Sequence, residues 1–222
     1  MALEVQNLTV IYNAGQEDEV TALRGLNATF EKGEITAVVG EMGSGKSTLA
    51  DHLNGLLQPT SGRVLLDGCD VATFPDKREV ARRVGYVMQQ AERQIFCQTV
   101  REEISFAPRN FGFGEEQTNQ IVATLAKNLA IGEEMLEQDP LKLSSGQKRI
   151  VAIASVLAQK PNYLVLDEPT AGLDNFATRS VLRLLLTLKK QGIGIIFITH
   201  DMEIARLIAD KFIVLQDAEL QS

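Results

Sequence analysis

One stretch of this sequence is built for phosphate chemistry: ITAVVGEMGSGKSTLADHL. Gly40, Gly45, Lys46 and Ser47 follow the spacing Gly-x-x-x-x-Gly-Lys-Ser, with Glu41, Met42, Gly43 and Ser44 between them and Thr48 after. Gly43 and Gly45 permit backbone conformations that a side chain would block, so N–H groups can converge on phosphate oxygens. Lys46 suits the β- and γ-phosphates of a nucleotide, and the Ser47 hydroxyl suits Mg²⁺. All nine residues from Gly40 to Thr48 are candidate nucleotide contacts. A β-branched strand pattern precedes the loop and a helical pattern follows it, aiming the positive end of the helix at the phosphates. That context separates a nucleotide site from a Gly/Ser-rich surface turn.

A phosphate loop needs a carboxylate near the metal, at the end of a neighbouring strand. YLVLDE supplies four apolar residues and then Asp167 and Glu168. Asp167 is placed to hold Mg²⁺, directly or through water. Glu168 is the candidate to orient and deprotonate an attacking water. Without the loop, the same pair reads as two solvated acids before a Pro-Thr turn.

These groups need a sheet to hold them. Short apolar runs alternate with amphipathic stretches, the pattern of an α/β protein. The strand-like runs are LEVQNLTVIY, ITAVVG, RVLL, VGYVM, NYLVL, GIGIIFI and KFIVL, and STLADHLNGLL and VLRLLLTLKK read as helices. From about Thr99 to Pro140 strand signal is weak, and TVREEISFA and EQTNQIVATLAKNLA read as a helical insert. The 222 residues are enough for one substantial core, in one or two domains. Cys69 and Cys97 have neither metal spacing nor a disulfide framework, so they read as free thiols in a reducing cytoplasm. A net charge of −7 argues against broad binding to nucleic acid. No apolar run approaches the roughly 20 residues of a bilayer span, and the first residues do not look like a signal peptide.

Taken together, the motifs resemble those of the ATP-binding subunit of an ATP-binding cassette (ABC) transporter, from Leu3 to about Leu215. GEMGSGKST matches the family's Walker A motif, YLVLDE its Walker B motif and LSSGQ its LSGGQ signature. Gln89 matches the Q-loop, Asp174 in AGLD the D-loop, and His200 in FITHD the switch histidine. The resemblance implies a P-loop α/β cassette with a mixed sheet, an N-terminal antiparallel β subdomain and a helical insert. It implies one ATPase domain over residues 1–222, with a helical subdomain at about 99–140 leading into the signature helix. ATP and Mg²⁺ are the expected ligands, with Ser47, Asp167 and Gln89 near the metal. Glu168, His200, Lys46 and Gln89 are the expected catalytic set, and Tyr12 resembles the aromatic residue that stacks on adenine. Adjacent Gln90 leaves the Q-loop register open by one residue, and alignment through VGYVMQ favours Gln89.

In this family two cassettes close head to tail on two ATP molecules. The resemblance therefore places Ser144, Ser145, Gly146, Gln147 and Asp174 against nucleotide held by a second ATPase subunit, identical or not. Ser144-x-x-Gln147 is also a capping box for the following helix, and both readings can hold. Ser145 departs from the family's usual glycine, so it bears on closure of the sandwich or on inequality between the two subunits.

QQAERQIFCQTVREEISFAPRNFG is similar to the segment after the Q-loop in energy-coupling factor (ECF) ATPases, which drive uptake of vitamins or of cobalt or nickel ions. That resemblance implies a transmembrane coupling protein, a separate substrate-binding membrane component and a place on the cytoplasmic face of the cell membrane. Gln94 matches the second glutamine of the pattern, near where a coupling helix would dock. Cys97-Gln98 departs from the usual small residue and proline, and the chain ends soon after KFIVLQD, where many ECF ATPases continue. A soluble ABC ATPase acting on nucleic acid or ribosomes is the rival reading; the single cassette, the lack of coiled-coil heptads and the acidic balance argue against it. A low-turnover regulatory ATP-binding module is the third, opposed by intact Glu168 and His200.

Overall fold

A computed structural model of the chain describes residues 2–90 and 93–221, which fall into two compact units. The first comprises the described residues up to Tyr86, Asn162–Glu168 and those from Leu188 onward. It carries two sheets. The antiparallel sheet has the order β2-β1-β4-β5, from β1 (Ala2–Tyr12), β2 (Val20–Glu31), β4 (Ser61–Leu66) and β5 (Cys69–Asp70). The larger sheet has the order β10-β9-β3-β8-β7-β6, from β3 (Ile35–Gly40), β6 (Val84–Val87), β7 (Tyr163–Asp167), β8 (Gly194–Ile198), β9 (Lys211–Gln216) and β10 (Glu219–Gln221).

Why the core strands form is plain from their residues. β7 and β8 are buried throughout and β3 up to its last residue, as expected of parallel strands covered on both faces. β3 pairs in parallel with β8 and β9, and β8 with β7, while β10 returns antiparallel to β9. The result is the mixed-sheet α/β cassette with an antiparallel N-terminal sheet that the motifs implied. β2 is a strand the residue pattern does not announce. Its buried residues Leu23, Leu26 and Phe30 are three and four apart rather than two. A register shift lies between the pairs Leu8↔Leu26 and Val10↔Leu23, with Gly25 at φ +57 inside it. The bulge hides the alternation that would have revealed the strand.

Two helices matter in this unit. α1 (Lys46–Leu53) follows β3 directly, and its N-cap Gly45 is left-handed at φ 97. α2 (Lys77–Arg83) is capped by Asp76, whose side chain accepts from the Arg78 N–H.

The second unit, Val87–Pro161 with Pro169–Thr187, is helical. It contains α3 (Val100–Asn110), α4 (Glu115–Asn128), α5 (Glu133–Leu136), α6 (Ser145–Ala158) and most of α7 (Asn175–Lys190). α3 packs against α4, α5 and α6, burying Val100, Ile104, Val122, Val151 and Ile153. Thr99 opens α3 with a complete capping box to Glu102. The last helix, α8 (Met202–Ile208), lies in the first unit and is capped by Asp201.

Candidate nucleotide site

In the larger sheet β3, β8 and β7 are neighbours, so their carboxyl ends emerge side by side. Open α/β sheets bind ligands at that edge. β3 delivers the phosphate loop, β8 delivers Thr199 and His200, and β7 delivers Asp167 and Glu168. Asp167 pairs in register with Ile198, which pairs in turn with Val38, so the loops after β7 and β8 start level with each other and β3 runs two residues further before the phosphate loop.

Lys46 folds back over the loop. Its Nζ donates to the carbonyls of Gly40 (2.8 Å) and Glu41 (2.7 Å) and reaches Ser44 Oγ at 3.4 Å. Met42, at the loop's tip, is almost wholly exposed, and Ser44 is buried beneath it. A Cβ on Gly40 would lie 2.2 Å from the Leu215 carbonyl and 2.6 Å from Ser44 Oγ, so the loop can turn there only without a side chain. On the first turn of α1, Ser47 Oγ donates to Asp167 Oδ2 at 2.6 Å. A hydroxyl and a carboxylate are hard oxygen donors, and a pair of them suits Mg²⁺, which takes one or two protein oxygens beside phosphate and water. Tyr12, at the end of β1, donates from its hydroxyl to Thr48 Oγ1 at 3.4 Å and keeps its ring partly exposed.

α1 also carries a polar contact to β6, between Asp51 and Tyr86. Burial pushes the Asp51 carboxyl up from its usual range, against the pull of His52 and a hydrogen bond with Tyr86. Burial and the nearby carboxylates of Asp51 and Asp167 push the Tyr86 phenol up in turn.

Glu168 is the most constrained residue of the site. It is non-glycine with φ 50, in the left-handed region, and its N–H donates to the Ile198 carbonyl at 2.9 Å. Such backbone strain persists only where neighbours over-determine it, and here they do. Oε1 accepts from the His200 N–H at 2.9 Å and lies 2.6 Å from His200 Nδ1. Oε2 accepts from Thr199 Oγ1 at 3.1 Å. An ionised carboxylate can only accept, so Nδ1 carries the proton toward Glu168. The His200 side chain is 74% exposed, and its Nε2 is the nitrogen left for other partners.

In the helical unit, Ser144 caps α6. The Gln147 N–H donates to Ser144 Oγ at 3.3 Å, and the Ser144 N–H donates to Gln147 Oε1 at 3.0 Å. Ser145 is the first residue of α6 and does not have positive φ, so the family's usual glycine is not required by the backbone here. Gly146 is different: a Cβ there would meet Leu173 Cδ2 at 3.3 Å. Ser144–Gln147, Leu173 and Asp174 line a groove of 380 Å³. Asp174 Oδ1 accepts from the Ala177 N–H at 2.7 Å and so caps α7. Gln89 is exposed in side chain, and its carbonyl accepts from Arg149 Nη2 at 2.7 Å.

Thr199 was not singled out from the sequence, although it adjoins His200. Its β-branched side chain looks like a strand residue, and only the fold brings its hydroxyl to Glu168. Glu103 was passed over as one letter of the ECF-like pattern. It is a buried carboxylate whose Oε2 accepts from the N–H groups of Phe96 (3.0 Å) and Cys97 (2.8 Å), which fixes the turn before α3. Glu103 also helps burial raise the Cys97 thiol to about 11. Beside that turn, Phe96 and Phe106 meet edge to face at 4.7 Å over a groove of 470 Å³.

Comparison with known proteins agrees with this geometry. The sequence model of the ABC transporter family matches residues 23–171. The chain is 41% identical over 224 residues to the energy-coupling factor transporter ATP-binding protein EcfA2 of Ligilactobacillus salivarius, covering 99% of this chain and 78% of that one. It is 40% identical over 223 residues to the EcfA2 of Clostridium perfringens, with the same coverage. Among solved structures, a bacterial ABC transporter cassette in dimeric form superposes with a TM-score of 0.89 at 29% identity, covering 100% of this chain and 97% of that one. The cbiO1 protein of Clostridium perfringens, part of the ABC transporter complex cbiONQ, superposes with a TM-score of 0.85 at 36% identity over 99% and 86% of the two chains. The chain belongs to the ABC transporter ATP-binding family and is an ATP-binding P-loop ATPase.

Proposed function

We propose that the chain is the ATP-hydrolysing subunit of an ECF-type uptake transporter, with both structural units acting as one ATPase domain whose helical subdomain covers about residues 99–140. The observation that carries the catalytic reading is the carboxyl edge of β3, β8 and β7. There a lysine, a hydroxyl–carboxylate pair and a buried glutamate held by an exposed histidine emerge from adjacent strands.

In this reading residues Gly40 to Thr48 cradle the phosphates of ATP and Tyr12 stacks on adenine. Lys46 exchanges its carbonyl partners for the β- and γ-phosphates. Ser47 and Asp167 would hold Mg²⁺, whose charge would offset that of the phosphates. Glu168 orients the attacking water and takes its proton, while the water oxygen bonds to the γ-phosphorus and the bond to ADP breaks. His200 holds Glu168 through Nδ1 and meets the γ-phosphate through Nε2, which requires a proton on both nitrogens at that moment.

Ser144, Ser145, Gly146, Gln147 and Asp174 act on nucleotide bound by a second ATPase subunit, and the dimeric cassette among the relatives supports that arrangement. The membrane side of the reading rests on the ECF relatives and on the groove beside Phe96 and Phe106. We assign that groove to the transmembrane coupling protein. Among the described residues no helix is long and apolar enough to cross a membrane, so attachment at the cytoplasmic face runs through that partner. The substrate, a vitamin or a transition-metal ion, is then carried by a separate membrane component.

The test is purification of the tagged chain from its own cells in mild detergent, with its companions identified by mass spectrometry. A polytopic membrane protein with a second cassette is the expected result. Ribosomal or DNA-bound companions without a membrane protein would overturn the transport reading.

A further inference from the structure

Glu168 is held from one two-residue segment, but its two oxygens are held in very different ways. Oε1 accepts from the His200 backbone N–H and from Nδ1 of a side chain that is 74% exposed. Oε2 is bonded by Thr199, which is fully buried. Every polar atom of Thr199 that bears on this contact is already committed. Its Oγ1 donates to Oε2 at 3.1 Å and accepts from the Asp201 N–H at 3.0 Å, and its own N–H donates to the Val38 carbonyl at 3.2 Å. A hydroxyl has one proton, and the Asp201 N–H can only donate, so the Thr199 proton must point at Glu168. The β-branched side chain has few rotamers, and this pair of hydrogen bonds fixes one of them. Through Val38 the anchor is tied to the strand that carries the phosphate loop.

We propose that Thr199 is a positioning residue for hydrolysis: it pins Oε2 of Glu168 and thereby aims Oε1 at the attacking water. The proposal rests on the reading of Glu168 as the base. His200 cannot do this alone, because its N–H and Nδ1 both hold Oε1 only. A carboxylate fixed at one oxygen can still rotate about that contact and lose its aim. Thr199 stays in place whatever His200 does, since its own partners are backbone groups of β3 and of the entry to α8.

The experiment compares Thr199→Val, Thr199→Ser and Glu168→Gln in the full chain, measuring kcat and KM for ATP hydrolysis and ATP affinity by direct binding. Valine keeps the shape and removes only the hydroxyl. The expected result is a kcat about 10- to 100-fold lower in Thr199→Val, the effect of removing one hydrogen bond to a charged group. KM and ATP affinity should stay within about twofold, and Thr199→Ser should restore kcat to within about twofold, because the hydroxyl is what matters. A valine variant that turns over like wild type would overturn the proposal. So would one that loses ATP binding together with turnover, or a serine variant as slow as the valine one. Glu168→Gln separates the two readings. If it abolishes turnover while Thr199→Val does not lower it, only the positioning role falls; if it leaves turnover intact, the base falls and this proposal with it.

Discussion

Gly45 and Gly43 lie two residues apart in the same loop, both left-handed, yet alanine should affect them very differently. Gly45 has φ +97 and Gly43 φ +85, so an alanine at either place meets the left-handed penalty of about 1–2 kcal/mol. At Gly43 nothing lies within 4 Å of the added Cβ, and that penalty is the whole effect on stability. At Gly45 the Cβ would sit 2.3 Å from the Ala22 carbonyl and 2.8 Å from Leu23 Cδ2. Leu23 can shift a rotamer, but the Ala22 oxygen is backbone near the start of β2. Relieving it means moving the strand or the start of α1, which adds roughly 1–3 kcal/mol of overpacking. The expected losses are therefore about 1–2 kcal/mol for Gly43→Ala and about 2–5 kcal/mol for Gly45→Ala. Urea denaturation of the two purified variants reads the difference directly, provided the slopes match. Only Gly45→Ala should also displace Lys46 and Ser47. Equal stabilities for the two variants would refute the argument that close approach to β2, beyond φ itself, demands glycine at position 45.

Three further outcomes follow from the geometry. Glu168→Gln should lower ATP turnover by about 10²–10⁴-fold, the usual span for a general base, with ATP binding retained in a direct binding assay. Asp210 is pushed up by burial, but the Ile35 N–H and Lys189 overrule this and hold its carboxyl below the usual value of 3.8. Its stabilising contribution is therefore present above the unfolded value and lost as pH falls through the lower folded one. The urea midpoint of Asp210→Asn should lie below wild type at neutral pH, and the gap should close below about pH 4. The Cys97 thiol, raised to about 11, should react slowly with iodoacetamide at pH 8, where about one molecule in a thousand is thiolate. Exposed Cys69 should be labelled first when the two peptides are followed by mass spectrometry.

How much of this was legible in the sequence depends on how local each feature is. The phosphate loop, the acids at the end of β7 and the capping box at Ser144 each lie within a few consecutive residues, and their chemistry follows from spacing alone. β3, β7 and β8 could be read because fully buried parallel strands are continuous apolar runs. β2 could not, because the bulge at Gly25 shifts its inward residues off the two-residue period. β5 and β10, at two and three residues, are too short to carry a period at all. The Glu168 network was half visible. His200 stands out as one of two histidines, whereas Thr199 differs from any other strand threonine only by what β7 places opposite it. The role of Glu103 was hidden for the same reason, since its partners are backbone N–H groups of the preceding turn.

The partners that these groups already have bear on how the site must work. Lys46 is bonded to two loop carbonyls, Ser47 to Asp167, Ser144 to the Gln147 N–H and Glu168 to Thr199 and His200. Where such a group is buried, as Glu168 is, leaving a partner unmade costs about 1–3 kcal/mol, whereas exposed Ser47 and Ser144 can turn to water instead. Nucleotide binding at these positions is therefore an exchange of hydrogen bonds, and each contact contributes only the difference between its two partners. For Lys46 the exchange is favourable, since a phosphate oxygen is charged and a carbonyl is not. For Ser144 the balance is closer, because turning its hydroxyl to a phosphate gives up a helix cap of about 1 kcal/mol. The N–H groups at the start of α6 recover that loss only when the phosphate itself lies at the helix end. In the proposed dimer, signature contact and phosphate position are thus coupled through one capping box: breaking the cap without delivering the phosphate costs about 1 kcal/mol.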